Sequence, residues 1–261
     1  MANPSPNTDE RSKQTNNLFA GLRVAITGGT SGLGLALVYE LSRRGARVAF
    51  VARGRDRVQL VMREHPGTHG IVGDVSSKED IYPIALQILG ELGGLDVLIN
   101  NASDLGPVPL AMLSDTECED LERAFTTNVL GPFRLTKALM GALAAAAREG
   151  RGAVVLNISS DAAINAYPGW GSYGASKAAL HHLTRIWGEE HVDDGVCFLS
   201  LDPGDMDTPM HAAAIPDADP STLKNPAVAA VELLAAVAAA IPTPGQVSRS
   251  RDADPACREV A

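Results

Sequence analysis

The chain has 261 residues, 45% of them hydrophobic, enough apolar material for one sizeable core and for one or two domains. Its formal net charge is -9, and Lys and Arg are scattered along it, which excludes the basic footprint of a nucleic-acid binder. The longest low-charge stretch, Val228 to Pro242, is alanine-rich and broken by Glu232, too short and too weakly apolar for a membrane-spanning helix.

Residues 1–19 are mostly Asn, Pro, Ser, Thr and charged groups without an apolar core segment. They are expected to form a flexible tail and not a signal peptide. Cys118, Cys197 and Cys257 are far apart and odd in number. They show no metal-ligand spacing and no disulfide framework, so a reducing, cytoplasmic setting is expected.

Leu22-Arg23-Val24-Ala25-Ile26-Thr27 reads as a short buried strand, followed at once by Gly28-Gly29-Thr30-Ser31-Gly32-Leu33-Gly34. Helical apolar spacing then runs from Leu33 to Leu41, with Gly45 as the stop. A glycine turn between strand and helix offers free N–H groups to a phosphate, and Gly28, Gly32 and Gly34 form a variant of the dinucleotide fingerprint. Arg47 to Ala52 is the second strand, with Arg53 at its carboxyl end. That is where an adenosine ribose is read: an acid there suits a 2′-hydroxyl, an arginine a 2′-phosphate.

His69 to Val75 reads as the third strand, with Asp74 near its tip, and Leu95 to Ile99 as the fourth. The fourth is almost continuously apolar, as a strand covered on both faces should be. Asn100-Asn101-Ala102-Ser103 closes it with small polar residues. A long helix is expected from Asp115 to Arg148, bent near Gly131-Pro132 and carrying Asn128. Ala153 to Ile158 is the fifth strand and ends in Ser159-Ser160. A helix from about residue 172 to 190 carries Tyr173 and Lys177, four apart and therefore on one face. A cation near a phenol favours the phenolate and lowers its pKa, so the pair suits proton transfer. Val196 to Leu201 is the sixth strand, ended by Pro203-Gly204. Residues 205–225 form a loop with one or two short helices, Pro226 to Ala240 a helix, and Gln246-Val247-Ser248 a short last strand. Alternation of strands and helices implies a parallel sheet with helices on both faces.

On these residues the chain resembles the classical short-chain dehydrogenase/reductases, from about Leu22 to Gln246. Five signatures stand in order: the Thr27–Gly34 turn, Asn101-Ala102, Asn128, Ser160 with Tyr173 and Lys177, and Pro203-Gly204 followed by Thr208. The resemblance implies a single Rossmann-type α/β domain, a doubly wound parallel sheet of about seven strands, over residues 20–250, with a tail at 251–261. It implies Tyr173 as general acid/base and Ser160 as the group that holds the substrate oxygen. Lys177 would lower the tyrosine pKa and bind the nicotinamide ribose, and Asn128 would position a water leading protons to Lys177. The cofactor would be NADP(H), held by Gly28, Thr30, Ser31, Gly32, Leu33 and Gly34 and read by Arg53. Asp74 and Val75, Asn101 and Ala102, and Pro203, Gly204 and Thr208 would contribute after the third, fourth and sixth strands. No metal is expected.

Departures are Ser103 in place of the family's usual glycine, Ser31 where NADP-using members often carry a basic residue, and a polar segment from Ser248 to Ala261. The Ser159–Tyr173 and Asn101–Gly106 segments look most like the sepiapterin-reductase and benzil-reductase branch. Sepiapterin reductases fix their pterin with a C-terminal acid, and Asp252 is only a nearby candidate for it. The expected activity is interconversion of a carbonyl and an alcohol on a small organic substrate. The alternatives are a 3-oxoacyl reductase of acyl chains and a non-catalytic dinucleotide-sensing protein. Family members pair through the helices at 115–148 and 172–190, so a homodimer is expected, with a tetramer possible and no nucleic-acid or membrane partner.

Overall fold

The computed structural model describes residues 18–241; the strand expected at Gln246-Val247-Ser248 lies outside the described residues. The described chain holds one sheet of six strands: β1 (Arg23–Thr27), β2 (Arg47–Ala52), β3 (His69–Val72), β4 (Val97–Asn100), β5 (Val154–Ile158) and β6 (Cys197–Leu201). All are parallel, in the order β3-β2-β1-β4-β5-β6. The order reverses between β1 and β4, and an open α/β sheet binds ligands at that switch point, beyond the carboxyl ends of its strands.

The helices are α1 (Gly32–Arg43), α2 (Arg55–Glu64), α3 (Lys78–Leu92), α4 (Cys118–Phe125), α5 (Gly131–Arg148), α6 (Gly171–Glu190), α7 (Pro209–Ala214) and α8 (Pro226–Ala240). Strand alternation sorts the core into two layers. Val24, Ile26, Val97 and Ile99 pack with Leu37 and Leu41 of α1 and Leu234 of α8. Ala25, Leu98 and Val155 pack on the other face with Ile84 of α3 and Leu135 and Leu139 of α5. Covered on both sides, β4 and β5 are buried at every position, which is why they read as unbroken apolar runs. Phe19, assigned to the tail by sequence, is fully buried in the first layer, with the Arg44 guanidinium 5.4 Å from its ring centroid. The folded domain therefore includes it.

Helix starts follow their local chemistry. The Asn225 side chain accepts the Ala227 N–H at 2.8 Å, and Pro226 occupies the first helical position of α8. The expected long helix at 115–148 is broken in two. Pro132 has no N–H for the carbonyl of Asn128, four residues back. The ladder widens there into a turn of π-helix, Thr126–Leu130, in which the Gly131 N–H reaches the Thr126 carbonyl. By length and composition the run Cys118–Arg148 could cross a membrane, but half of its most apolar window is buried within the domain, as in a core helix. Cys118 is a free, exposed thiol, and Cys197 is buried on β6.

Candidate active site

The carboxyl ends of the strands open into a cavity of about 710 Å³, within the usual range for a ligand site. At its floor is the glycine turn. Gly32 adopts φ 49, a left-handed conformation that glycine enters without penalty. A Cβ on Gly34 would stand 2.1 Å from the Gly28 carbonyl oxygen, so only glycine lets α1 begin this close to β1. Ser31, the N-cap of α1, makes no side-chain cap bond. The first N–H groups of α1 are therefore left to whatever enters the cavity, an anion cradle by geometry and by helix dipole.

The turn is braced from two sides. Asn101 donates through Nδ2 to the Thr27 carbonyl at 2.9 Å, and the Asn101 and Ala102 N–H groups both donate to Thr27 Oγ1 at 3.0 Å. From above, Thr208 caps α7 by accepting the His211 N–H at 3.2 Å. Its methyl would lie 3.2 Å from a Cβ on Gly32. Arg53 and, unforeseen in the sequence, Arg57 line the end of the cavity beyond β2. Neither has an ion-pair or hydrogen-bond partner among the described residues. Asp74 and Val75 line the same region, the Asp74 carboxylate accepting from the Ser76 N–H and hydroxyl at 2.9 and 2.7 Å.

The opposite end holds Ser160, Tyr173 and Lys177. Tyr173 and Lys177 are 9% and 2% exposed. Burial pushes the Tyr173 phenol up to about 12; Asp202 and Asp161 push the same way, and hydrogen bonds with Ser160 and Ser103 oppose it. Lys177 lies beside this ring. Its ammonium lies 5.4 Å from the ring centroid and donates to the Ile158 carbonyl at 2.7 Å, and the groups that favour the phenolate are the two serines. Burial also lowers Lys177 itself to about 8.

Every residue assigned to the cofactor from the sequence lines this one cavity, as does Ser160. Asn128 does not. It is fully buried in the π turn, with its side chain engaged by protein. Its Oδ1 accepts from the Asp104 N–H at 2.7 Å and the Ser103 hydroxyl at 3.0 Å. Its Nδ2 donates to the Asp104 carbonyl at 2.8 Å and Ser176 Oγ at 2.9 Å. Asn128 thus ties the loop after β4 to α6, two steps from Tyr173. Trp170 and Asp202, which also line the cavity, were missed by sequence reasoning. Trp170 directly precedes α6, and Asp202 sits beside Pro203-Gly204; neighbourhood to a recognised motif was the signal available.

A doubly wound parallel sheet with an anion-cradling glycine turn and a tyrosine, lysine and serine at its switch point defines a dinucleotide-dependent oxidoreductase. Residues 23–219 match the short chain dehydrogenase family, and the chain belongs to that family, whose members bind a nicotinamide dinucleotide. An uncharacterized oxidoreductase of Thermotoga maritima is 35% identical over 190 residues, covering 71% of this chain and 72% of that one. The 2-(R)-hydroxypropyl-CoM dehydrogenase of Xanthobacter autotrophicus is 30% identical over 194 residues, covering 72% of this chain and 76% of that one. The crystal structure of 3-ketoacyl-(acyl-carrier-protein) reductase from Brucella melitensis, complexed with NADH, superposes with a TM-score of 0.77 at 25% identity, over 86% of this chain and 92% of that one.

Proposed function

We propose that the protein is an NADP(H)-dependent carbonyl reductase in which Tyr173 is the proton donor. The observation that carries this is the meeting of Ser160, Tyr173 and Lys177 at one end of a cavity whose other end holds two unpartnered arginines. When bound, the nicotinamide supplies hydride, which no side chain can deliver. The chain supplies the rest. The Ser160 hydroxyl hydrogen-bonds the substrate oxygen, and Tyr173 protonates it as negative charge develops there. A phenol held near 12 keeps its proton at neutral pH, the form that reduction of a carbonyl consumes. In this reading Lys177 holds the nicotinamide ribose, and Asn128 acts through Ser103 and α6 as a positioning residue. The secondary-alcohol chemistry named in the Xanthobacter relative fits the same reaction class.

We also infer a two-fold dimer built on α4, α5 and α6, and a cytoplasmic location where reduced NADP is plentiful. The reaction is tested with a panel of ketones and aldehydes, followed by loss of NADPH absorbance, in wild type and Tyr173→Phe. The variant keeps the ring and loses the proton, so kcat falls by at least roughly a hundredfold while NADPH binding is retained. Near wild-type turnover by Tyr173→Phe would remove the phenol from the reaction.

A further inference from the structure

The two ends of the cavity carry opposite charge. The far end has Arg53 and Arg57; the catalytic end is lined by Asp161, Asp202 and Asp205. These three acids have no Lys or Arg ion-pair partner among the described residues. Asp161 accepts from neutral hydroxyls, Ser160 at 3.1 Å and Tyr167 at 2.7 Å, and Asp202 accepts the Gly204 N–H at 2.9 Å. Such donors leave the negative charge in place. Asp104, the fourth acid there, is taken by Arg123 at 3.2 Å. Lys224 does not line the cavity and is held by Glu232 at 2.7 Å. The other ionisable groups at this end are the buried Lys177, which donates to Ile158 and whose charge Asp202 favours, and His211, whose Nδ1 is buried without a partner among the described residues.

The acids also crowd the reacting group. Asp161 and Asp205 act on the Tyr167 hydroxyl, and Asp161 and Asp202 on Tyr173. Asp161 and Asp202 make developing negative charge at the Tyr173 phenol costlier, and an anionic substrate would add to that repulsion. A cation removes it. Two aromatic residues, Tyr167 and Trp170, line the same end, and aromatic faces attract ammonium groups, modestly where water reaches them, as it does Tyr167. Leu105, Met206 and Met210 supply an apolar wall for a hydrocarbon frame.

We propose that the substrate is a ketone, or the corresponding alcohol, bearing a cationic nitrogen that sits among Asp161, Asp205, Tyr167 and Trp170. This rests on the carbonyl-reductase reading above and narrows it against carboxylate, phosphate and acyl-carrier substrates. A cation at Asp161 also competes for the carboxylate oxygen that now holds the Ser160 hydroxyl, releasing that hydroxyl toward the substrate oxygen. Charge recognition and catalysis are thereby linked through one carboxylate.

The test uses three para-substituted acetophenones: trimethylammonio, its neutral isostere tert-butyl, and carboxylate. kcat/KM with NADPH is measured in wild type, Asp161→Asn and Asp205→Asn at low salt. Comparing the cation-to-neutral ratio between enzymes cancels the intrinsic reactivity of each ketone. That ratio falls about threefold in each variant, the anion-to-neutral ratio rises, and added salt lowers the cation's advantage in wild type without any mutation. A cation-to-neutral ratio that is the same in all three enzymes and unmoved by salt overturns the proposal. Calorimetric binding of the same compounds in the presence of NADP⁺ separates this inference from the reading beneath it. Binding ordered by charge without turnover retains the cation site and removes the reductase; turnover without charge order does the reverse.

Discussion

At the scale of single residues, Lys177 shows what the site costs the fold. Its pKa drops from 10.5 to about 8 on burial, so holding the ammonium inside at neutral pH costs about 3 kcal/mol. Because the folded pKa lies below the unfolded one, the unfolded chain binds more protons between pH 8 and 10.5, and stability rises with pH across that window. Tyr173 works in the opposite sense above pH 10, since its pKa is raised to about 12 in the folded chain. Lys177→Met removes the rise. Urea unfolding at several values between pH 8 and 10 should show wild type gaining stability with pH and the variant nearly flat; equal slopes would contradict the burial argument. The candidate site residues were legible because Tyr173 and Lys177 are four apart and Ser160 follows an apolar strand. What Lys177 touches was not legible, since the Ile158 carbonyl that takes its ammonium comes from another element. Arg57 was missed because a lone arginine in a charged helix resembles any solvated side chain.

Between residue and fold stand the elements, and the segment from 115 to 148 is the instructive one. Its apolar spacing announced a helix, and Pro132 announced a bend. A π turn has no periodicity of its own over five residues, so its place around Asn128 emerges only in three dimensions. Such turns are frequent at functional sites, and this one aims Asn128 at the loop after β4. α8 was read to the residue because Asn225-Pro226 is a start signal. α2 could not be, since only Val58 and Val61 are buried in its ten residues. On the outer faces of α4, the π turn, α5 and α6, Leu121, Leu130, Phe133 and Ile186 remain 36%, 40%, 36% and 40% exposed. A two-fold partner would cover them. Sedimentation at micromolar concentration should show a dimer, and Phe133→Glu should shift it toward monomer; a wild type that sediments only as monomer contradicts the pairing.

For the whole molecule, a parallel sheet with helices on both faces followed from alternation of strands and helices, whereas strand order and switch point emerge only from the pairing in three dimensions; every expected cofactor residue lines one cavity. The polarity of that cavity, arginines at one end and unpaired acids at the other, was only partly visible. Loop acids face water as often as they face a ligand, and of the acids at 205 and 207 only Asp205 lines the cavity. The same polarity frames the central claim, that the arginine end reads a 2′-phosphate. Ala52 neither bonds a 2′-hydroxyl nor repels a phosphate, and Arg53 and Arg57 bring planar donors to the same edge. A hydrogen bond to a charged group contributes roughly 1.5–3 kcal/mol, a preference for NADPH over NADH of about ten- to a hundredfold, toward the lower figure because both arginines are exposed. The decisive measurement is kcat/KM with each cofactor in wild type and in Ala52→Asp/Arg53→Leu/Arg57→Leu. Wild type should prefer NADPH and the triple variant should lose or reverse that preference; a wild type that uses NADH as well or better, or a variant with an unchanged ratio, would reduce both arginines to surface charge.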